Sequence, residues 1–180
     1  YVNTPAKNGA TPVFIAAQHG HVDVIKALCV CGADVNTPAK NGATPVFIAA
    51  QDGHHDVIKA LGGFGANVNT PDKDGATPVF MAAQDGHVIK ALCGFGADVN
   101  IPKSDGPTPV LIAAQNGHVD VIKALCALGA DVNTPDKDGS TPVFIAAQHG
   151  RVWMSSRLCV VSVLMSIRQL RMVLPLCLLL

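Results

Sequence analysis

Histidine is the residue type that first suggests chemistry in this sequence, because imidazole binds metals and transfers protons near neutral pH. Four histidines recur after a glycine, at intervals of 33, 33 and 31 residues: His21, His54, His87 and His118. A zinc-type site needs ligands that converge on one point, whereas one residue per repeating unit forms a row. We therefore interpret these histidines as turn residues that support the fold, and we predict no metal site.

Two aspartate-rich segments resemble the start of a calcium-binding loop, Asp72-Lys73-Asp74-Gly75 and Asp136-Lys137-Asp138-Gly139. Such a loop needs further oxygen ligands and a late bidentate glutamate, and residues 1–150 contain no glutamate. We interpret both segments as polar turn tips in which glycine takes the unusual backbone conformation.

Residues that could catalyse a reaction are scarce. The first 150 residues contain no arginine and no glutamate, and their serines are Ser104 and Ser140. No serine or cysteine has a base and an orienting acid at plausible positions, and no glycine-rich phosphate loop precedes a helix. The sequence therefore predicts a protein that is not an enzyme and that uses no cofactor.

Three of the six cysteines, Cys29, Cys93 and Cys126, occupy equivalent positions along the chain. Equivalent residues of neighbouring packed helices lie about 10 Å apart, which is too far for a disulfide. We interpret these cysteines as small buried apolar residues. Reduced thiols indicate an intracellular, cytoplasmic location.

The elements that position these residues are repeated units. The phrase Thr-Pro-Val-Phe-Ile-Ala-Ala-Gln returns almost unchanged at starts 33, 33, 31 and 33 residues apart. Those starts are Thr11, Thr44, Thr77, Thr108 and Thr141. A fixed period of this length indicates stacked supersecondary units in place of one globular core.

The unit formed by residues 34–66 shows the predicted local structure. Residues 34–42 have the composition of a turn, and Thr44-Pro45 can cap and begin a short helix that ends before Gly53. A second helix over residues 54–61 places Val57, Ile58 and Leu61 on one face. Each helix is too short to be stable alone in water, so its apolar face must pack on the next unit.

This pattern resembles the ankyrin repeat. The resemblance lies in the Gly-x-Thr-Pro before the first helix, the Ala-Ala within it, the Gly-His between helices, and the Gly-Ala-Asp-Val-Asn that follows. The last motif stands at 32–36, 96–100 and 129–133. The resemblance implies an all-α solenoid of antiparallel helix pairs joined by hairpin-like turns. Its units would be 1–33, 34–66, 67–97, 98–130 and a half unit, 131–150, which we call units 1 to 4 and the last half unit.

Two departures from the family pattern have structural consequences. The family has histidine after Thr-Pro-Leu, where this chain has an apolar residue, so we predict an apolar ladder in place of a polar network. Its members are Phe14, Phe47, Phe80, Leu111 and Phe144. Unit 3 is also two residues short, because Gly86-His87-Val88-Ile89 replaces the longer Gly-His-Val-Asp-Val-Ile. We expect its second helix to start late and to leave a local defect.

The resemblance implies a protein partner held by the turn tips and by the exposed surface of the first helices. The candidate contact residues differ from unit to unit, although ordinary solvated polar positions are an equally good interpretation of any one of them. They are Asn8, His19, Asn41, Asp52, Asp72, Asp74, Asp85, Asp105, Asn116, Asp136 and Asp138. Two alternatives remain open: an architectural spacer, and a targeting segment of a larger protein whose active domain lies elsewhere.

Charge and chain ends refine this interpretation. Residues 1–150 carry nine lysines and thirteen aspartates, a net charge of −4, which argues against nucleic acid as a partner. We expect a monomer. The sequence begins at Tyr1 inside a repeat and without methionine, so we also expect a fragment of a longer array.

Residues 151–180 are unlike the repeats. They hold all four arginines and no acidic residue, and their uncharged runs, 158–167 and 172–180, fall short of the roughly 20 apolar residues of a membrane span. A shift of one nucleotide near Arg151 accounts for them better. Trp153 and Met154 each have a single codon, and together these codons force an aspartate in the shifted frame. That aspartate falls at the position that Asp23 has in the repeat. With a suitable choice of synonymous codons for the other tail residues, the shifted frame can encode most of a further ankyrin-like repeat. We therefore interpret this tail as non-native, and as disordered or loosely helical.

Sequencing the coding DNA tests the frameshift. We expect the alternative frame downstream of codon 151 to encode a repeat in register with residues 22–49. A shifted frame without that repeat would contradict the hypothesis. Sequencing the transcript around codon 151 shows which of the two frames is translated.

Overall fold

The computed structural model describes residues 1–148, and within that range the chain contains α-helices and no strands. The predicted tail, 151–180, lies outside the described residues. The first helices of successive units are α1 Pro12–Gln18, α3 Pro45–Gln51, α5 Pro78–Asp85, α7 Pro109–Asn116 and α9 Pro142–Gln148. The second helices are α2 Val22–Val30, α4 His55–Gly63, α6 Ile89–Cys93 and α8 Val119–Ala127. The all-α solenoid is confirmed.

A buried threonine begins each first helix in units 1 to 4. Thr44 is 1 % exposed, and its Oγ1 accepts the N–H of Phe47 at 3.3 Å. Proline follows at the first helical position, where no backbone N–H is needed. The same cap recurs at Thr11, Thr77 and Thr108. Repeating one local signal therefore starts every first helix at the same point of the unit.

The helices stack in two rows. The first helices α1, α3, α5, α7 and α9 contact one another in sequence, and α2, α4, α6 and α8 form the second row. Each second helix turns a fully buried aliphatic side chain inward, such as Ile25, Ile58, Leu92 and Leu125. The core thus runs along the stack, and each unit is stabilised by its neighbours.

Asparagine side chains join successive units on the turn side of the stack. Asn36 Nδ2 donates to the carbonyl of Gly65 at 3.2 Å, and its Oδ1 accepts the N–H of Asn67 at 2.8 Å. The same pair of bonds is made by Asn3, Asn69 and Asn100. One amide per unit therefore fixes the spacing and the orientation of the next unit.

Unit 3 contains the predicted defect. Its second helix, α6, has 5 residues, whereas α2, α4 and α8 have 9 each. Val88, at the start of α6, has φ +49°, the one positive φ of a non-glycine residue in the described range. A branched side chain is strained in that conformation. The Nδ1 atom of the adjacent His87 is buried without a hydrogen-bond partner among the described residues.

Four of the five residues in the predicted apolar ladder are buried. Phe14, Phe47, Phe80 and Leu111 are 2–6 % exposed. The fifth residue, Phe144, is 58 % exposed. Phe14 is buried by the described residues alone, so helices that follow it in the chain cover this position. None of the described residues follows α9.

The cysteines are less deeply buried than predicted. Cys29, Cys93 and Cys126 are half-buried and pack against the edge of the core. In the second helices, Cys93 and Cys126 each follow a fully buried leucine, Leu92 or Leu125. Cys29 and Cys93 form no disulfide, and burial raises the pKa of both thiols. They are therefore weaker nucleophiles than an exposed thiol at neutral pH.

Inserting Asp-Val between Val88 and Ile89 should repair unit 3. The insertion restores the sequence of unit 4 and supplies an equivalent of Val57, which is 1 % exposed in unit 2. Burying one valine is worth about 2 kcal/mol, so we expect a gain of that size in the free energy of unfolding, measured by urea denaturation, with a rise in helical circular dichroism. A Gly-Gly insertion is the control. Equal stability of the two insertions would contradict the explanation.

Asn36→Ala should loosen the contact between units 2 and 3. It removes two hydrogen bonds, each worth about 1 kcal/mol, so we expect a loss of about 1–2 kcal/mol in the free energy of unfolding. The matched control is Asp52→Ala, an exposed residue whose loss should change stability by less than about 0.5 kcal/mol. Similar losses for both variants would show that the amide does not join the units.

Candidate protein-binding surface

The turn tips form a continuous row held by backbone hydrogen bonds. The N–H of Lys40 donates to the carbonyl of Asn8 at 3.0 Å, and the N–H of Lys73 donates to Asn41 at 3.0 Å. The N–H of Ser104 continues the row to Asp74 at 3.3 Å. The tips of units 1 to 4 are therefore fixed relative to one another and present their side chains at regular levels.

Glycine makes this close approach of tips possible. Gly42 has φ +87°, and a Cβ atom there would lie 2.7 Å from the backbone nitrogen of Lys73. The left-handed conformation and the close contact both require a residue without a side chain. The glycine of the polar turns is thus structural, as the sequence predicted.

Four of the candidate contact residues hold the shape of their own turn. Asp72 Oδ1 accepts the N–H groups of Asp74 and Ala76 at 3.0 and 2.8 Å, and Asp136 does the same for Asp138 and Ser140. Asn8 and Asn41 each accept one N–H two residues later. This arrangement bears out the interpretation of both aspartate-rich segments as polar turn tips.

The remaining tip residues differ in whether their side chains are bonded to other described residues. Asp74 and Asp138 are exposed, and their side chains make no hydrogen bond within residues 1–148. Asp105 instead pairs with Lys103, whose Nζ lies 3.3 Å from the carboxylate and 6.0 Å from the ring centroid of Phe80. The tip of unit 4 therefore leans on unit 3, while those of unit 3 and the last half unit carry an unpaired carboxylate.

At the ends of the first helices, Asp52 and Asp85 are exposed, and the structure gives their side chains no hydrogen bond or ion pair in the described part of the chain. His19 is also exposed and lies against His21, with ring centroids 5.9 Å apart. Asn116 differs, because its Nδ2 donates to the carbonyl of Gln84 at 2.8 Å. Asn116 therefore helps to hold unit 4 on unit 3.

Two of the four histidines in the row, His54 and His118, are hydrogen-bonded to the preceding unit. His54 Nε2 lies 2.9 Å from the carbonyl of Gln18, and His118 Nε2 lies 2.9 Å from that of Gln84, in each case in the preceding unit. His55 pairs with the adjacent Asp56 at 3.2 Å and not with His54. In residues 1–148 no group of three or more histidine, cysteine or acidic residues could hold a metal ion.

Sequence reasoning missed the asparagines that bridge units. In the sequence, Asn36 and Asn69 appeared only as the last residues of a motif. That their Oδ1 atoms accept an N–H group of the next unit was not predicted. The available signal was their spacing, since Asn3, Asn36, Asn69 and Asn100 recur at the period of the repeat. A polar residue that keeps this period with both amide atoms available is a candidate bridge between units.

The described part of the chain offers no helix with the length and apolar character needed to cross a membrane.

A family model for ankyrin repeats matches the sequence three times, over residues 2–72, 62–136 and 80–165. No curated protein matches the chain. Ankyrin repeats are generally modules for protein–protein interaction and typically non-enzymatic. Taken with the threonine caps, the paired helices and the row of turn tips, these matches show that the chain belongs to the ankyrin repeat family.

Proposed function

We propose that this stack is a non-enzymatic scaffold that binds a protein partner through its turn tips and the ends of its first helices. The observation that carries the proposal is a set of exposed side chains with no structural role in the described residues. These are His19, Asp52, Asp74, Asp85 and Asp138. Their equivalents in other units, such as Asn41 and Asn116, are used inside the fold.

The chemistry of this set favours a partner with basic groups. Asp52, Asp74, Asp85 and Asp138 are carboxylates on units that are fixed relative to one another, and the body of the stack carries net negative charge. A rigid row of carboxylates loses little conformational freedom on binding. Complementary charge gives specificity and a faster association rate.

The spacer alternative rests on the sameness of the units. Helices α1, α3 and α9 have the identical sequence Pro-Val-Phe-Ile-Ala-Ala-Gln, and discrimination between partners needs differentiated contacts. In that case the length of the stack would matter and its surface would not. A targeting segment of a larger protein is the third candidate.

The double variant Asp52→Asn, Asp85→Asn tests the binding surface. We expect it to lower capture of the protein's cellular partner by about tenfold or more, because two charged contacts are lost. The readout is quantitative mass spectrometry of proteins retained from cell extract by the immobilised chain, compared across variants.

The control variant Asp23→Asn, Asp120→Asn makes the same change of charge on the second helices. These carboxylates are 99 % and 98 % exposed and pair with Lys26 and Lys123, a contact of small energetic value. It should keep full capture. Equal capture by both double variants would support the spacer and contradict the binding surface.

A further inference from the structure

The C-terminal ends of helices α3 and α5 carry acidic side chains where a helix disfavours negative charge. Asp52 caps the end of α3, and Asp85 is the last residue of α5. The carbonyl groups at this end of a helix bear partial negative charge, which favours a cation and opposes a carboxylate. Neither helix has a basic residue in its last turn. A positive group from outside the chain would therefore be stabilised at both ends.

The equivalent residue of unit 4 shows which contact is made from this position. Asn116 is the last residue of α7, and its Nδ2 donates to the carbonyl of Gln84 in the preceding unit at 2.8 Å. In unit 3 the residue at this position is Asp85, and the equivalent carbonyl is that of Gln51. An ionised carboxylate resembles the amide in shape but has no N–H group to donate. Unit 3 therefore has an acceptor where unit 4 has a donor.

The histidine of unit 3 also leaves the Gln51 carbonyl unbonded. In units 2 and 4 a histidine Nε2 lies 2.9 Å from the equivalent carbonyl. In unit 3 the Nε2 atom of His87 faces Gly53, where a Cβ atom would lie 3.1 Å from it. The Gln51 carbonyl accepts no hydrogen bond from the described residues. The end of α3 thus combines an unbonded carbonyl with the carboxylate of the next unit.

Unit 2 repeats this arrangement one level earlier. Asp52 takes the position of Asn116, and among the described residues the equivalent carbonyl, that of Gln18, is bonded from the next unit by His54 alone. A carbonyl oxygen has two lone pairs, and that of Gln84 uses both in accepting two side-chain donors. Each of the two levels therefore pairs a carboxylate with a carbonyl that can accept a further N–H group.

A guanidinium group matches both members of such a pair. It carries five N–H donors in a fixed planar fork and remains charged at neutral pH. It can therefore donate to the carboxylate and to the carbonyl at the same time. An ammonium group is a point charge without this planar geometry, so the two pairs favour arginine over lysine.

The spacing of the two pairs indicates the backbone that would carry the arginines. Helices α3 and α5 pack side by side, and the axes of packed helices lie about 8–10 Å apart. A polyproline II chain rises about 3.1 Å per residue with three residues per turn, so residues i and i+3 lie on one side about 9 Å apart. Residues on one side of a β-strand are about 7 or about 14 Å apart, which does not fit.

An α-helix could also present two side chains at this spacing, because residues seven positions apart are separated by about 10 Å along its axis. A short helix is unstable in water, whereas proline-rich chains adopt polyproline II before they bind. The polyproline II segment therefore loses less conformational freedom on binding, and the surface favours it.

We propose that the ends of α3 and α5 bind two arginines, three residues apart, of a proline-rich segment in the polyproline II conformation. This inference rests on the proposed function and names the chemistry of the partner for the same surface. Units 1 and 4 flank both levels, so the site is complete without either end of the stack.

Fluorescence anisotropy with two short labelled peptides tests the proposal. Both are acetylated and amidated and have the same composition, one with Arg-Pro-Pro-Arg and the other with Arg-Pro-Arg-Pro at its centre. We expect the first to bind the 180-residue chain about tenfold more tightly, because only its spacing places both arginines and one charged contact amounts to roughly that factor.

Two variants test the residues. Asp85→Asn should remove the advantage of the first peptide, because the new amide can donate to the Gln51 carbonyl as Asn116 donates to that of Gln84. Asp120→Asn is the matched control, since this carboxylate is 98 % exposed on a second helix. It should leave the affinities for both peptides unchanged.

Equal binding of the two peptides, or equal effects of the two variants, would overturn the inference. Binding of only a helical peptide with arginines seven residues apart would overturn it too and assign the surface to a helix. If Asp52→Asn, Asp85→Asn lowers capture from cell extract while neither proline-rich peptide binds, the proposed function stands and this inference fails. If capture is unchanged as well, both fail.

Discussion

The structure depends on one constraint: within residues 1–148, no helix is long enough to be stable without a neighbour. Helices of five to nine residues bury their apolar faces only when a neighbouring unit is in place. The fully buried side chains, such as Ile58 and Leu125, lie where successive units meet. Stability is therefore a sum over contacts between neighbours.

Much of this fold could be predicted because each unit repeats the same local signals. The Thr-Pro start fixes the first helix through a cap, and the missing pair of residues in unit 3 predicts a late, short second helix, as α6 shows. The exposure of Phe144 and the half-burial of Cys29 could not be predicted in the same way. Both depend on which neighbouring helix covers the residue. The period of the sequence shows which positions are equivalent, but it does not show on which side of each position the covering helix lies.

Among the candidate contact residues, some hydrogen bonds could also be predicted from the sequence and others could not. Turn chemistry predicts that an aspartate such as Asp72 accepts backbone N–H groups of its own tip. It does not predict that Asn116 reaches back to Gln84, because that bond depends on how two units are placed relative to each other. The sequence thus indicated which positions vary, whereas the structure separated the polar groups used in the fold from those that remain exposed.

The short helix α6 also affects how the stack comes apart. Contacts in a linear array pass only between neighbours, so a weak level divides the array into parts that can open separately. Units 1 and 2 lie on one side of α6, and unit 4 lies on the other, each with a nine-residue second helix. Under tension along the stack, unit 3 would unfold first. The described stack would then behave as two stiff segments joined by a compliant one.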